Sequence, residues 1–115
     1  MLIRSQYKRM IVNFDNICTV SAFSEKDSED IYVEDGTGSL MVGRYSTKAK
    51  AMKVLDMIQD KYAGYQTAHT VSNGLATMSL FVDCSDKVNE LYIKAQNALE
   101  KAVVFQMPAD SEVEA

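Results

Sequence analysis

Leu40-Met41-Val42-Gly43-Arg44-Tyr45-Ser46-Thr47-Lys48-Ala49-Lys50 reads as a strand running straight into a capped helix. Leu40 to Tyr45 supplies the strand, and either Ser46 or Thr47 can accept from the exposed amides of a first helical turn. Downstream, Ala51, Leu55, Ile58 and Tyr62 recur at spacings of four, three and four, which places them on one helical face. Met52 and Val54 flank that stripe, and Lys50, Lys53, Asp56 and Asp60 fall largely outside it. Gly64 is the expected stop, because a left-handed glycine ends a helix at little cost.

Upstream of the junction the chain predicts an antiparallel sheet. Met10-Ile11-Val12-Asn13-Phe14 is rich in β-formers, and Asp15-Asn16 follows as a turn signal. Ile17 to Phe23 alternates apolar and polar residues as a half-buried strand does. Ser24-Glu25-Lys26-Asp27-Ser28-Glu29-Asp30 reads as a solvated loop, and Ile31-Tyr32-Val33-Glu34 resumes the strand pattern. Asp35-Gly36-Thr37-Gly38 is a hairpin connection, since both glycines permit positive φ. Four strands, or five with Leu2-Ile3-Arg4, arrive in meander order.

Beyond the first helix, Thr70 to Asp83 is ambiguous. Asn73-Gly74 can turn a hairpin whose second strand is Met78-Ser79-Leu80-Phe81-Val82, or the same residues can form a short helix; the reading leans towards strand or irregular structure, and the secondary structure of 67–84 stays open. Ser85 or Asp86 can cap a second helix with the apolar seam Val88, Leu91, Tyr92, Ala95, Leu99 and Ala102. The small residues Ala95, Ala98 and Ala102 admit a close helix, in the same chain or in a second copy. Val103 to Met107 is a short strand closed by Pro108, and 110–115 is an acidic tail expected to be disordered. The expected fold is therefore α+β: one domain over 1–109, an N-terminal antiparallel meander with two helices packed on it or on a partner subunit.

With 115 residues there is room for one real core. No run approaches the roughly 18 uninterrupted apolar residues of a membrane span. The start of the chain lacks the layout of a signal peptide, so a cytoplasmic location is expected. Cys18 and Cys84 read as two buried free thiols, and with the single His69 they are too few for a structural zinc site. A net charge of −4 argues against broad nucleic-acid binding, which needs many basic groups on one face.

No catalytic constellation is legible. His69 has no nucleophile motif near it, Ser72 and Ser79 lie outside any nucleophile elbow, and Gly36-Thr37-Gly38 lacks the lysine of a phosphate loop. The expectation is a non-enzymatic protein without metal or cofactor. Arg44 is the most suggestive side chain, two residues ahead of a helix start that offers Ser46, Thr47 and free amides. Helix N-termini attract anions, and an adjacent arginine adds charge-assisted hydrogen bonds to a phosphate. The competing reading is an Arg44 paired with a carboxylate. Arg4 and Arg9 could belong to the same end of the sheet, and an aromatic such as Phe81 could stack on a base.

Ile3-Arg4-Ser5-Gln6, Ile11 to Ile17, Val42 to Thr47, Val54 to Gln59 and Val104 to Pro108 together resemble a recurring set of small uncharacterised proteins of Firmicutes genomes and their phages. In size and element order the chain also resembles the Thoeris anti-defence sponges of phages, small oligomers that sequester cyclic ADP-ribose-type nucleotides. That resemblance implies a phage-type protein, acting in the host cytoplasm, that binds and sequesters a phosphate-bearing signalling nucleotide. Arg44, Ser46 and Thr47 would hold phosphate, Phe81 would meet the base, and the Val88–Ala102 seam would build a homodimer or higher oligomer. The alternative is a protein–protein inhibitor, such as an anti-CRISPR protein, that blocks a host nuclease.

Overall fold

The computed structural model describes residues 1–81 and 86–114, with side chains over 1–76 and 87–114. Its elements run β1 (Leu2–Arg4), β2 (Ile11–Asn13), β3 (Thr19–Glu25), β4 (Ser28–Glu34), β5 (Ser39–Tyr45), α1 (Lys48–Phe81), α2 (Asp86–Ala102) and β6 (Val104–Gln106). This is an α+β fold with an N-terminal strand meander. The strands divide into two three-stranded sheets, ordered β2-β1-β6 and β3-β4-β5. The chain clusters into two compact units, Met1–Asp60 with Val104–Ala115, and Lys61–Val103.

In the first unit, β1 pairs antiparallel with β2 and parallel with β6, which puts Val12, Ile3 and Phe105 side by side in one buried row. The second sheet buries Ile31, Val33, Val42 and Tyr45, and the first turns of α1 bury Ala51, Val54 and Ile58. Val54, expected at the margin of the helical stripe, is thus in its centre. Gln6 ties the sheets together: its N–H donates to Val42 O at 2.8 Å, and its side-chain amide pairs with both the N–H and the carbonyl of Arg44. Gly43 is needed where β5 meets the end of the chain. A Cβ there would lie 3.0 Å from Met107 Cε and 3.0 Å from the Tyr45 ring.

The expected loop and tail of this unit also differ. The solvated loop over Ser24–Asp30 is a tight hairpin, with Glu25 facing Ser28 in register. Its acidic residues are not all solvated, because Glu29 accepts from the Ser24 hydroxyl and Asp30 from Ser28 and Arg44. The 110–115 segment, expected as a disordered tail, carries a 3-10 turn over Asp110–Glu112 and a buried Val113.

In the second unit, α1 continues through Gly64 and Asn73-Gly74 to Phe81. Gly64 and Gly74 do not adopt positive φ. A helical glycine costs only about 1 kcal/mol relative to alanine, so packing overrides the local stop and turn signals. α2 supplies that packing: Lys61 Nζ donates to Lys101 O at 2.9 Å, and the Gln96 amide meets the buried Ser72 hydroxyl. Those two links run in opposite sequence directions, so the helices are antiparallel. The seam residues Ala95 and Ala102 are buried within the chain.

Candidate functional site

The β5–α1 junction forms as its sequence predicts, and Thr47 is the cap. Its hydroxyl accepts from Lys50 N at 3.2 Å, and its carbonyl takes the first helical bond, from Ala51 N. Ser46 does something else. Its N–H and its hydroxyl both donate to Asp110 Oδ1, at 2.8 and 3.0 Å. Lys50 Nζ completes the grip, donating to the Asp110 carbonyl at 3.0 Å and lying 3.4 Å from Oδ2. The Ser46 amide above all, helped by its hydroxyl and Lys50, holds the Asp110 carboxyl below the usual carboxylate range, against a desolvation penalty second only to the amide's effect. A carboxylate of the same chain therefore takes the Ser46 groups that the junction offers an anion.

Arg44 is likewise engaged. Its Nε lies 2.9 Å from Asp30 Oδ1 and its Nη2 3.0 Å from Oδ2, a two-point fork onto a fully buried carboxylate. Hydrogen bonding to Arg44 is the main reason that the Asp30 carboxyl sits below its ordinary range, with Ser28 assisting and burial opposing. The carboxylate-paired reading of Arg44 is the observed one. Half of its side chain is still exposed, and a guanidinium has N–H groups beyond the two spent on Asp30. Arg44, Ser46 and Thr47 thus stand together at the end of β5, while the Phe81 side chain lies outside the described residues.

A register break in β5 gives Arg44 its neighbours. Ile31 faces Gly43 but Tyr32 faces Met41, so Val42 is an extra residue in the ladder. A bulge of this kind re-aims the side chains that follow it. Here it places Met41 and Arg44, three apart in sequence, on the same face of the sheet, where Met41 Sδ lies 3.8 Å from Arg44 Nη2. Strict alternation would have separated them.

Beside that pair lies a cleft of about 480 Å³ lined by Ser5, Tyr7, Arg9, Met10 and Met41. Its wall is the β1–β2 connection, which is braced from inside. Ser5 N donates to Met10 O, Met10 N to the Ser5 hydroxyl, and the Gln106 amide to Ser5 O. Lys8 turns the loop at φ 63°, and its carbonyl is held by the Arg4 guanidinium at 3.2 Å. Arg4 therefore serves the loop, while Arg9 is exposed and has no ion-pair partner among the described residues. Tyr7 is 60% exposed at the rim. The size falls within the range of small-molecule sites, and an aromatic ring, thioethers and an unpaired guanidinium make a surface suited to a planar, anionic ligand. Sequence reading grouped Arg9 with Arg44 but had no signal for Tyr7, Met10 or Met41, whose grouping depends on the loop and the bulge.

The remaining candidates are ordinary. His69 lies on an exposed part of α1 against the Tyr65 ring, with Nδ1 3.3 Å from the Asn73 amide. Cys18, expected as a buried thiol, is exposed. It stands just ahead of β3, where its N–H donates to Glu34 O. Cys84 lies outside the described residues. Among the described residues, no group of three or more His, Cys, Asp and Glu side chains is arranged to hold a metal ion, and no helix is long and apolar enough to cross a membrane. Comparisons of the chain with protein-family models, with curated proteins and with solved structures found no match.

Proposed function

We propose that this chain is a non-enzymatic binding protein of the phage anti-defence kind, which sequesters a phosphate-bearing signalling nucleotide of the cyclic or ADP-ribose type. The observation that carries the reading is the Tyr7–Arg9 cleft beside Arg44. Tyr7 and the methionine floor offer a nucleobase a stacking and apolar surface. Arg9 supplies charge, and the remaining N–H groups of Arg44 can reach a second phosphate oxygen. The junction residues Ser46 and Thr47 belong to the same end of the sheet, with Asp110 in the anion position until a stronger oxyanion competes for it. The phage setting rests on the sequence resemblance.

A thermal-shift screen across cyclic nucleotides and ADP-ribose derivatives tests this, with inorganic phosphate as control. A ligand that binds only the folded state adds about 2.7 kcal/mol at a hundredfold excess over Kd, roughly 10 °C for a domain of this size. Arg9→Ala and Tyr7→Ala should each abolish most of that shift without lowering the unliganded melting temperature. No shift with any nucleotide, together with co-purification of a host protein, would favour the nuclease-blocking alternative.

A further inference from the structure

The strand β3 is the one long sheet edge left open among the described residues. β2 and β6, the edges of the other sheet, are three residues each. The outer edge of β5 is closed by Gln6, which satisfies Val42 O and both backbone groups of Arg44. β3 has neither protection. It runs seven residues, pairs with β4 at every one of them without a bulge, and has no strand on its other side. Thr19-Val20-Ser21-Ala22-Phe23-Ser24-Glu25 contains no proline, no glycine and no lysine, the residues that usually blunt such an edge. Phe23 is 52% exposed on it, edge-on to Tyr32 with ring centroids 5.8 Å apart.

We infer that β3 pairs antiparallel with β3 of a second copy about a two-fold axis at Ala22, joining two sheets into one of six strands. The strand is its own complement in this register. Ser21 falls opposite Phe23 of the other copy, and Val20 opposite Ser24. Each Glu25 falls opposite Thr19, whose hydroxyl donates to Glu34, rather than opposite the other Glu25. The two Phe23 rings become diagonal neighbours at about 7–8 Å, within reach of aromatic contact. Tyr32, Phe23 and their counterparts then form one row of four rings across the joint. Residue-centred antiparallel pairing satisfies the open backbone groups whichever way the Ala22 N–H points. An unrelated strand would gain the same backbone bonds without the aromatic row.

The test uses the full chain. Sedimentation equilibrium should give a dimer mass at about 100 µM for the wild type, and Phe23→Lys should raise the dimer dissociation constant at least tenfold with an unchanged circular dichroism spectrum. In a Cys18→Ser, Cys84→Ser background, Ala22→Cys should form a covalent dimer on oxidation. Its Cα atoms would lie about 4.5–5.5 Å apart across the axis, inside the disulfide window. Ser24→Cys in the same background should not, being offset from its counterpart by four residues along the strand. A monomeric wild type, a dimer that survives Phe23→Lys, or equal cross-linking at positions 22 and 24 would each overturn the proposal.

Discussion

Asp110 Oδ1 accepts from both the N–H and the hydroxyl of Ser46, 64 residues away in sequence, so the Asp110 turn latches onto the residue just ahead of the Thr47 cap of α1. The same carboxylate meets Lys50, and Lys53 Nζ donates to Glu114 O at 2.7 Å. Removing the Asp110 carboxylate should loosen this latch. Asp110→Ala should lower the melting temperature, and Asp110→Asn should lower it less, because an amide oxygen can keep the Ser46 bonds. The emptied position should also take an outside anion. Sulfate should then raise the melting temperature of Asp110→Ala more than that of the wild type, and an equal response in both would show that the junction holds no anion of its own.

Acid should weaken the protein through Asp30 and Asp110. Both carboxyls are held below their ordinary value in the folded chain, so their contribution is fully present above the unfolded aspartate pKa of about 3.9. It is lost as pH falls through the lowered native values. Urea midpoints should be flat from pH 7 to about pH 5 and decline steeply below about pH 4. Arg44→Gln removes the largest cause of the Asp30 shift, so this variant should begin lower and decline less steeply.

Gly43→Ala should cost about 1–3 kcal/mol, the usual range for overpacking, because its Cβ would press on Met107 and Tyr45. Gly38→Ala meets nothing within 4 Å and is the control, with a change within about 0.5 kcal/mol. Denaturant titration of both variants separates close approach from a general intolerance of substitution in β5 and its turn.

A continuous α1 makes a signed prediction at Gly64 and Gly74. Neither glycine has positive φ, and added Cβ atoms at both would meet open space. Alanine there should therefore stabilise by about 0.5–1 kcal/mol at each site. Were either residue a left-handed helix stop, the same substitution would destabilise instead.

Thr47→Ala should cost about 1 kcal/mol, the usual loss on removing a helix cap, since the Thr47 hydroxyl is the group that accepts from Lys50 N. Comparing its unfolding free energy with that of the wild type checks this assignment.

What the sequence determined by itself was local. Asp35-Gly36-Thr37-Gly38 is a turn because the Asp35 carboxylate reaches Thr37 N, Thr37 Oγ1 and Gly38 N within three residues, and Gly36 takes φ +92°. The strand-to-helix switch at Ser46-Thr47 and the strand closed by Pro108 were legible for the same reason: every group they need lies within a turn or two. Tertiary structure decided the rest. Arg44 looks equally ready for a phosphate or a carboxylate until β4 brings a buried Asp30 opposite it, and Asp110 looks like solvated tail until Ser46 and Lys50 take hold of it. The extra residue at Val42, which joins Met41 and Arg44 beside the Tyr7–Arg9 cleft, breaks the two-residue alternation on which strand reading depends. Gly64 and Asn73-Gly74 carry local preferences worth about 1 kcal/mol, and a packed partner helix outweighs them because burial along a whole helical face exceeds any single residue's propensity.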